Sequence, residues 1–321
     1  MRYRVMMHGM MLAAMLWSVC CAAGAETYAE KLGWPKGSRV LIINSDDVGL
    51  SYAATQGSVE GLEAGIVTSV TMMMPAPWVI RFKNYLAKHP EVCVGAHLML
   101  CNEWDEYGIE PLSGPKVVPG LTDEDGCFWD NNKLLLAHAT AEEVETELRA
   151  QLERAEKMGI KLSHVDSHMW SVFQREDFAE KYVSLAIEKK LPMRLVQGVE
   201  GGYAAADDPV VVMSRKFTQR VWDAGLPVLD DLHTQSYGWD TTDKTQYFIR
   251  DIRNLKPGVT EMVVHLTKPN DVIGVITANR TLLYGDYFAM TDPKVLRVIQ
   301  EEGIILTSWT ELKKRRDALK K

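Results

Sequence analysis

Stretches rich in apolar and β-branched residues alternate with segments of helical period along nearly the whole chain, and this order restricts the fold more than any other feature. The first such stretches predict three strands separated by two helices, the second of which stops before Pro90. Parallel strands need a crossover segment between them, usually a helix. The alternation therefore predicts a mainly parallel sheet with helices outside it. The five segments are RVLIINSDDVGLS, AATQGSVEGLEAG, IVTSVTMMM, WVIRFKNYLAKHP and VCVGAHLML.

The alternation continues towards the C-terminus. A capping box of Thr140 and Glu143 predicts the start of the next helix, and Gly159 predicts its end. Residues 103–135 predict a long loop of the kind that covers a site, and residues 198–212 predict an irregular region. About seven strand–helix units favour an α/β fold with a distorted, TIM-like (β/α) barrel over an open doubly wound sheet. The later predicted strands are SHVDSHMW, MRLV, PVLDDLH and TEMVVHLTK.

The first 25 residues predict a secretory signal peptide rather than part of the fold. Arg2 and Arg4 precede an apolar stretch, and small residues offer a cleavage site before Glu26. We therefore expect residues 26–321 to form one domain that is periplasmic or secreted, with no stable membrane span after cleavage. An uncleaved N-terminal helix that anchors the chain is the alternative.

Charge and cysteine content exclude some classes of function. The net charge is −7, and it becomes −9 after cleavage because two arginines and no acidic residue leave with the signal peptide. A nucleic-acid-binding protein needs a basic face to neutralise phosphates, so we exclude nucleic acid as a partner. Three cysteines remain after cleavage, namely Cys93, Cys101 and Cys127. This odd and scattered set predicts no disulfide framework, although it allows a single disulfide. The absence of a C-x-x-C pair disfavours a thiolate zinc site.

Polar residues that can bind metal ions or transfer protons recur where the predicted strands end. Asp46 and Asp47 follow the first strand, His97 lies near the end of the third, and His233 and His265 end later strands. The working residues of parallel α/β folds lie at the carboxyl ends of strands, so we expect these side chains to meet. Scattered core histidines would have no reason to prefer one end of so many strands.

The segment SHVDSHMW carries ligand-capable side chains at every second position, namely His164, Asp166 and His168. In an extended strand such positions point to the same face. An isolated pattern of this kind also occurs in partly exposed strands whose histidines only form hydrogen bonds. The rest of the chain must therefore decide between a ligand cluster and ordinary strand polarity.

Two histidines and one carboxylate form a donor set that holds a divalent metal and leaves positions open for water and substrate. His97 fits this set, although a single histidine on an apolar strand is more often a core residue. Adjacent carboxylates raise each other's pKa unless a cation is present, so one of Asp46 and Asp47 would bind metal while the other takes a proton from water. Neighbours in extended backbone point oppositely, which favours unequal roles; a solvated turn or helix N-cap is the alternative. His265 is either a general acid or structural.

Five motifs in this order resemble those of the YdjC-like carbohydrate deacetylases, a group that includes chitooligosaccharide deacetylase and the hopanoid-associated deacetylases. The resemblance extends over about residues 38–310, through NSDDVGLS, AGIVTSVTMMM, GAHLML, SHVDSHMW and TEMVVHLT. It implies a distorted (β/α) barrel that binds one divalent metal ion, Zn²⁺ or Mg²⁺ before others. The implied metal ligands are Asp47, His97 and His168, with Asp46 as general base and His265 as candidate acid.

The reaction that the resemblance implies is hydrolysis of a linear amide bond, which removes an N-acetyl group from an amino-sugar-containing oligosaccharide or glycan. With His168 as a ligand, Asp166 is expected to orient a ligand by a hydrogen bond, and His164 to be structural. Trp170 stands where many members have a further histidine, and Leu266 where many have proline. Both departures lie on the substrate side of the site. Aromatic side chains that would stack on a sugar, or simply pack, are Trp170, Trp104, Tyr107, Tyr237 and Trp239.

Other functions on the same frame stay open. One is a metal-dependent O-acyl esterase, and another is a non-catalytic carbohydrate-binding protein that retains the pocket. The binding protein is disfavoured because binding alone needs no base beside the ligands. A phosphoesterase is disfavoured because the sequence lacks a basic, glycine-rich phosphate cradle. A homodimer stays open as the assembly.

Overall fold

The computed structural model describes residues 26–104 and 106–319 of the chain. The predicted signal peptide lies outside these residues. Seven strands are present among them, and every neighbouring pair is parallel. They are β1 (Arg39–Val48), β2 (Ser69–Met72), β3 (Val94–Leu98), β4 (Val165–Ser167), β5 (Asp231–His233), β6 (Gly258–Val264) and β7 (Ile305–Leu306).

The strands follow one another in the sheet as β4-β3-β2-β1-β6-β5, and β7 pairs with the start of β1. Beyond β4, residues 193–196 take the place of a further strand. Val165 of β4 forms a parallel bridge with Met193, and Val196 forms one with Leu229, just before β5. These bridges connect the two edges of the sheet. The predicted distorted (β/α) barrel is therefore confirmed, with one wall held by single bridges at the position of the predicted strand MRLV.

Helices surround the sheet, as the alternation predicts. The longest is α5, which begins with the predicted capping box: the Thr140 side chain accepts from Glu143 N, and the Glu143 side chain accepts from Thr140 N. The helices are α1 (Tyr28–Lys31), α2 (Tyr52–Glu63), α3 (Val79–Leu86), α4 (Asn132–His138), α5 (Ala141–Lys157), α6 (Glu176–Glu188), α7 (Pro209–Asp223), α8 (Thr245–Arg253), α9 (Ile273–Ile276), α10 (Arg280–Met290), α11 (Pro293–Glu301) and α12 (Trp309–Ala318).

One predicted boundary is wrong at the start of α7. The end of the region predicted as irregular, residues 198–212, already belongs to this helix. The Asp208 side chain caps it by accepting from Val210 N, and Pro209 occupies the first helical position, where no N–H is needed. The predicted loop of residues 103–135 is irregular over most of its length, with a short 3₁₀ turn and the beginning of α4.

β1 runs through the centre of the sheet, and its residues from Val40 to Val48 are all buried. Such burial is expected of a parallel strand that is covered on both faces. Its carboxyl half carries polar side chains into this interior, which is unusual unless the side chains have partners or a function. Cys93, Cys101 and Cys127 are free thiols, so the disulfide that the sequence left open is not formed. None of the helices in the described part of the chain is both long and apolar enough to cross a membrane.

Candidate metal centre

A bulge at the end of β1 positions the acidic pair. Ser45 pairs with Val70 and Val48 with Met72, so Asp46 and Asp47 together face a single residue of β2. Asp47 has a left-handed φ of 62°, which a bulge allows and which aspartate tolerates better than most residues. The expectation that the two carboxylates point to opposite faces is therefore wrong. Both reach the same imidazole, that of His97.

His97 and Asp166 are direct neighbours across β3 and β4. His97 Nδ1 lies 2.6 Å from Asp166 Oδ1, and both side chains are buried. Burial alone would lower the pKa of His97, but Asp166 and Asp46 raise it to about 9. The predicted role of Asp166, orienting a ligand by a hydrogen bond, corresponds to this contact.

His168 follows β4 directly and starts a sharp turn. Met169 and Trp170 both have left-handed backbones, with φ values of 51° and 55°. Such residues cost about 1–3 kcal/mol each and persist only where the surroundings enforce them, often at functional sites. The turn leaves His168 Nε2 2.6 Å from Glu103 Oε2, and the ring of Trp104 stacks on the imidazole with centroids 5.2 Å apart.

Asp47, His97 and His168 converge at one point. His97 Nε2 lies 3.4 Å from Asp47 Oδ1, His168 Nδ1 lies 3.6 Å from that oxygen, and the two nitrogens are 3.1 Å apart. Tetrahedral bonds of 2.0–2.1 Å place ligand atoms about 3.3 Å apart, so the spacing suits a metal ion. Asp47 Oδ1 is buried and has no hydrogen-bond partner among the described residues.

The outer nitrogens of both histidines support the same interpretation. Asp166 holds Nδ1 of His97, and Glu103 holds Nε2 of His168. Each imidazole therefore turns its other nitrogen towards Asp47 Oδ1. Metal-binding histidines commonly have a carboxylate on the second ring nitrogen, which fixes the tautomer and the ring orientation. The donor set and its supports fit a divalent metal ion.

A second group that could hold a metal consists of Asp46, His97 and Asp166. Part of its negative charge is already offset, because the buried guanidinium of Arg194 contacts Asp46 at 2.9 Å and Asp166 at 2.7 Å. Arg194 also bonds Glu261 of β6 at 3.0 Å. A cation placed in this group would be repelled by the guanidinium. Of the two groups, Asp47, His97 and His168 are therefore the better fit to a metal ion.

Asp46 lies between the metal group and the arginine. Its Oδ1 accepts from Thr71 Oγ1 (2.9 Å), Asn44 Nδ2 (2.6 Å) and Arg194 Nη2 (2.9 Å). Its Oδ2 accepts from Arg194 Nη1 alone, at 3.0 Å. Burial works against ionisation, but Arg194 and His97 hold the pKa of this carboxyl well below its usual range. The carboxylate thus stays ionised, and Oδ2 is the less occupied oxygen.

His265 follows β6, the strand next to β1, and lines the same space. Its ring meets that of Tyr237 edge-on, with centroids 4.8 Å apart, and its Nδ1 lacks a hydrogen-bond partner among the described residues. Its backbone N–H donates to Asp286, which also forms a buried ion pair with Lys244 at 2.8 Å. The position of His265 is therefore fixed through its main chain, while the imidazole stays available.

These residues surround a cavity of about 480 Å³. Ligand pockets commonly have about 300–1,000 Å³, so the cavity can admit a sugar-sized group. Its wall contains the two candidates for proton transfer, both metal-group histidines, two further charged side chains and two aromatic rings. They are Asp46 and His265, His97 and His168, Glu103 and Arg194, and Trp170 and Tyr237.

The sequence profile of the YdjC-like protein family matches residues 40–301. The chain belongs to the YdjC-like family. It is 30% identical over 272 residues to a carbohydrate deacetylase of Thermus thermophilus, covering 85% of this chain and 93% of the relative. It is 25% identical to a carbohydrate deacetylase of Thermoanaerobacter pseudethanolicus, covering 86% of this chain and all of that one.

One solved structure shares the fold closely. A proposed cellobiose-phosphate cleavage protein of Enterococcus faecalis V583 superimposes with a TM-score of 0.72 at 24% identity, covering 86% of this chain and 99% of that one. At this identity the likeness shows the fold alone. The YdjC-like fold predicted from the motifs is confirmed by this superposition and by the profile match.

Two of the predicted histidines of this YdjC-like chain lie outside the cavity. His164 is buried away from the cavity, stacks on Trp309 with centroids 5.2 Å apart and contacts Ser163 Oγ, which fits a structural role. Burial and the charge of Arg194 lower its pKa well below the ordinary value. His233 is bonded to Asp251 at 2.7 Å and does not line the cavity.

Some of the aromatic candidates line the cavity, and others pack against neighbouring side chains instead. Trp170 and Tyr237 line the cavity, and the Arg194 guanidinium lies 5.8 Å from the Trp170 ring. Trp104 packs on His168 and is buried, whereas Trp239 packs against Phe248 and does not line the cavity.

Two functional candidates are missing from the sequence analysis, namely Arg194 and Glu103. An arginine inside the apolar run MRLV is a signal in hindsight, because a buried arginine needs carboxylate partners. Glu103 lies in the predicted loop, where an acidic residue is ordinary. Its proximity to His168, 65 residues later, becomes visible only in the fold.

Proposed function

We propose that this carbohydrate deacetylase uses one divalent metal ion to hydrolyse the N-acetyl group of an amino-sugar-containing oligosaccharide or glycan. The observation that carries the proposal is the buried, partnerless Oδ1 of Asp47 facing two imidazole nitrogens. A buried carboxylate oxygen that accepts no hydrogen bond is costly unless a cation completes it. Curated relatives that match over 85% of the chain or more are carbohydrate deacetylases, which supports the substrate class.

Asp47, His97 and His168 would hold the ion. When bound, a divalent metal supplies Lewis-acid polarisation of the acetamide carbonyl and lowers the pKa of a coordinated water. The donors suit Zn²⁺ well, and Mg²⁺ less well because it prefers oxygen ligands.

Asp46 is the proposed general base. Asp46 lines the cavity and its Oδ2 accepts a single hydrogen bond, so this oxygen can take the proton of the attacking water. Arg194 keeps the carboxylate ionised before the reaction and in a fixed orientation. The same guanidinium contacts Asp166, which orients His97, so one cation connects the base with a metal ligand.

His265 is the proposed general acid. It lines the cavity together with Asp46, from the neighbouring strand, and its Nδ1 has no hydrogen-bond partner within the described residues. An imidazolium at this position can donate an N–H proton to the departing amine as the amide C–N bond breaks. Tyr237, which contacts the imidazole edge-on, restricts its rotation.

Acetate release from a panel of N-acetylated sugars tests the function. We expect release by the wild type, loss of release with a chelator, restoration by added Zn²⁺, and no release by His168→Ala. His138→Ala, which removes an exposed histidine of α4, is the matched control and should keep full activity. Chelator-resistant release would contradict the metal mechanism. Tight sugar binding without any release would favour the carbohydrate-binding alternative, and release from O-acetyl sugars alone would favour the esterase.

Export is the second part of the proposal. Cleavage before Glu26 would leave residues 26–321 as one domain outside the cytoplasm. The N-terminal mass of the protein recovered from cell fractions tests this. A cytoplasmic protein that retains residues 1–25 would contradict it, and a membrane-bound uncleaved form would favour the anchor.

A further inference from the structure

A second cavity of about 460 Å³ opens beside the metal centre, and its walls are mostly apolar. We propose that this groove binds a further sugar ring of the same substrate, beyond the ring whose acetamide is hydrolysed. The inference rests on the proposed function and adds the place where a further ring of the oligosaccharide would bind.

The groove and the active-site cavity share three wall segments. The end of β1 contributes Asp46 to the cavity and Leu50 to the groove. The loop after β3 contributes Glu103 to the cavity and Tyr107 to the groove, and the Tyr107 hydroxyl donates to Leu50 O at 2.8 Å. The groove therefore lies on segments that also form the wall of the active-site cavity, although the two have no lining residue in common.

The third shared segment follows β6. Residues 270–276 line the groove, and Asn279 lines the cavity. All three segments follow the carboxyl ends of strands, where substrates of parallel α/β enzymes bind. The groove thus lies on the working side of the barrel.

Exposed apolar side chains collect in this groove. Of the eleven large apolar side chains that are exposed among residues 26–104 and 106–319, four line it. Contiguous exposed apolar surface next to a site commonly marks a binding groove. The four are Tyr52, Trp78, Val272 and Val275.

Tyr52 and Trp78 form the part suited to a sugar. Their rings meet edge-on with centroids 5.4 Å apart, and they are 47% and 41% exposed. The Arg81 guanidinium lies 4.6 Å from the Tyr52 centroid and holds that ring from one side. Rigid aromatic rings offer large apolar faces at small entropic cost, and a pyranose presents a matching C–H face. Continuity with the site favours the substrate over a second copy of the chain as occupant.

Chain-length dependence tests the inference. For the wild type and Trp78→Ala, kcat/KM is measured on N-acetylglucosamine and on its five-ring oligomer. We expect the five-ring to one-ring ratio to fall about tenfold in the variant, the loss expected for one stacking contact. Trp78→Phe should retain most of the ratio and Trp78→Leu should not, because stacking needs a ring. Tyr247→Ala removes a ring that is also 41% exposed but lines neither cavity, and should leave the ratio unchanged.

Other outcomes would overturn the inference. An unchanged ratio in Trp78→Ala, or equal ratios in the Phe and Leu variants, would exclude a stacking subsite. A wild-type dimer that Trp78→Ala dissociates in sedimentation would show that a second copy covers the groove. If the wild type hydrolyses neither sugar, the proposed function fails by itself. Calorimetric titration with the five-ring oligomer then decides the subsite: tenfold weaker binding by Trp78→Ala supports it, and equal binding contradicts it.

Discussion

Two acidic clusters lie side by side at the carboxyl ends of the strands, and they differ in the source of their positive charge. In the first, the guanidinium of Arg194 contacts three buried carboxylates, those of Asp46, Asp166 and Glu261. In the second, Asp47 faces His97 and His168, and its Oδ1 has no hydrogen-bond partner within the described chain. His97 touches both clusters, since its two ring nitrogens face Asp166 and Asp47.

The difference separates a structural charge cluster from a binding site. Buried carboxylates with a built-in arginine are neutralised by the fold itself, so they can orient neighbours and keep a fixed ionisation state. A buried carboxylate without such a partner needs a cation from solution. Four substitutions distinguish the two clusters.

Asp47→Asn should reduce acetate release to background. The amide cannot replace the carboxylate as an anionic metal ligand, whereas its size is the same. The metal-free variant should unfold at nearly the same temperature as the metal-free wild type, because the replaced Oδ1 accepts no hydrogen bond. Acetate assays and thermal unfolding in chelator measure the two effects. Retained activity, or a clear drop in the unfolding temperature of the metal-free protein, would show that Asp47 is not a metal ligand.

Arg194→Met should destabilise the fold by about 3–5 kcal/mol, because it leaves buried carboxylates without their cation. Urea unfolding measures the free energy of unfolding. Arg220→Met is the control, since Arg220 pairs with Glu180 at a largely exposed position and such pairs contribute at most about 1 kcal/mol. Equal small losses in the two variants would show that the arginine cluster is not the structural element described above.

Glu103→Gln should weaken metal binding and activity by about 10–100-fold, the usual cost of losing a carboxylate behind a metal-binding histidine. The expected cause is a less fixed His168 imidazole. Titration of the metal-free protein with Zn²⁺ gives the affinity directly. Glu110→Gln changes an exposed glutamate of the same loop and should bind Zn²⁺ like the wild type. An unchanged Zn²⁺ affinity in Glu103→Gln would show that His168 does not need the Glu103 carboxylate to bind the metal.

Asp46 should contribute to the pH dependence of stability in metal-free protein. The folded pKa of this carboxyl lies well below its unfolded value of about 3.9, chiefly because Arg194 opposes the effect of burial. Its contribution is therefore present above about pH 4 and is lost as the pH falls towards the folded pKa. Asp46→Asn should lose less stability than the wild type between pH 5 and 3, as followed by urea unfolding. Parallel losses would contradict the ionised, arginine-bound state of Asp46.

Much of the barrel is predictable from sequence because its signals are local. Apolar runs predict β1 to β6, and the Thr140–Glu143 capping box predicts the start of α5. The start of α7 was also within reach, since Asp208 before Pro209 is a typical helix beginning. Residues 193–196 pair with their neighbours through isolated β-bridges only. No local sequence pattern distinguishes such bridges from the continuous hydrogen-bond ladder of a full strand.

The site is predictable only as far as its residues belong to motifs. Asp46, Asp47, His97, His168 and His265 all lie near one cavity or its metal group, although their roles stay predictions. The bulge that turns both aspartates towards His97 arises from the pairing of β1 with β2. The alternating side-chain directions of an ideal strand therefore predict their orientation wrongly.

Long-range partners explain the rest. Arg194 bonds a carboxylate 148 residues earlier in the chain, and Glu103 bonds a histidine 65 residues later. A single sequence carries no local signal for such contacts.

Metal content shows which of the two clusters binds the ion. Protein stripped with chelator is reloaded with Zn²⁺, desalted and measured for metal per chain, in the wild type, Asp47→Asn and Asp166→Asn. We predict one ion per wild-type chain, none in Asp47→Asn, and an ion retained with weaker affinity in Asp166→Asn, where the ligands remain but His97 loses its support. Full occupancy in Asp47→Asn with loss in Asp166→Asn would place the ion in the arginine cluster and contradict the account.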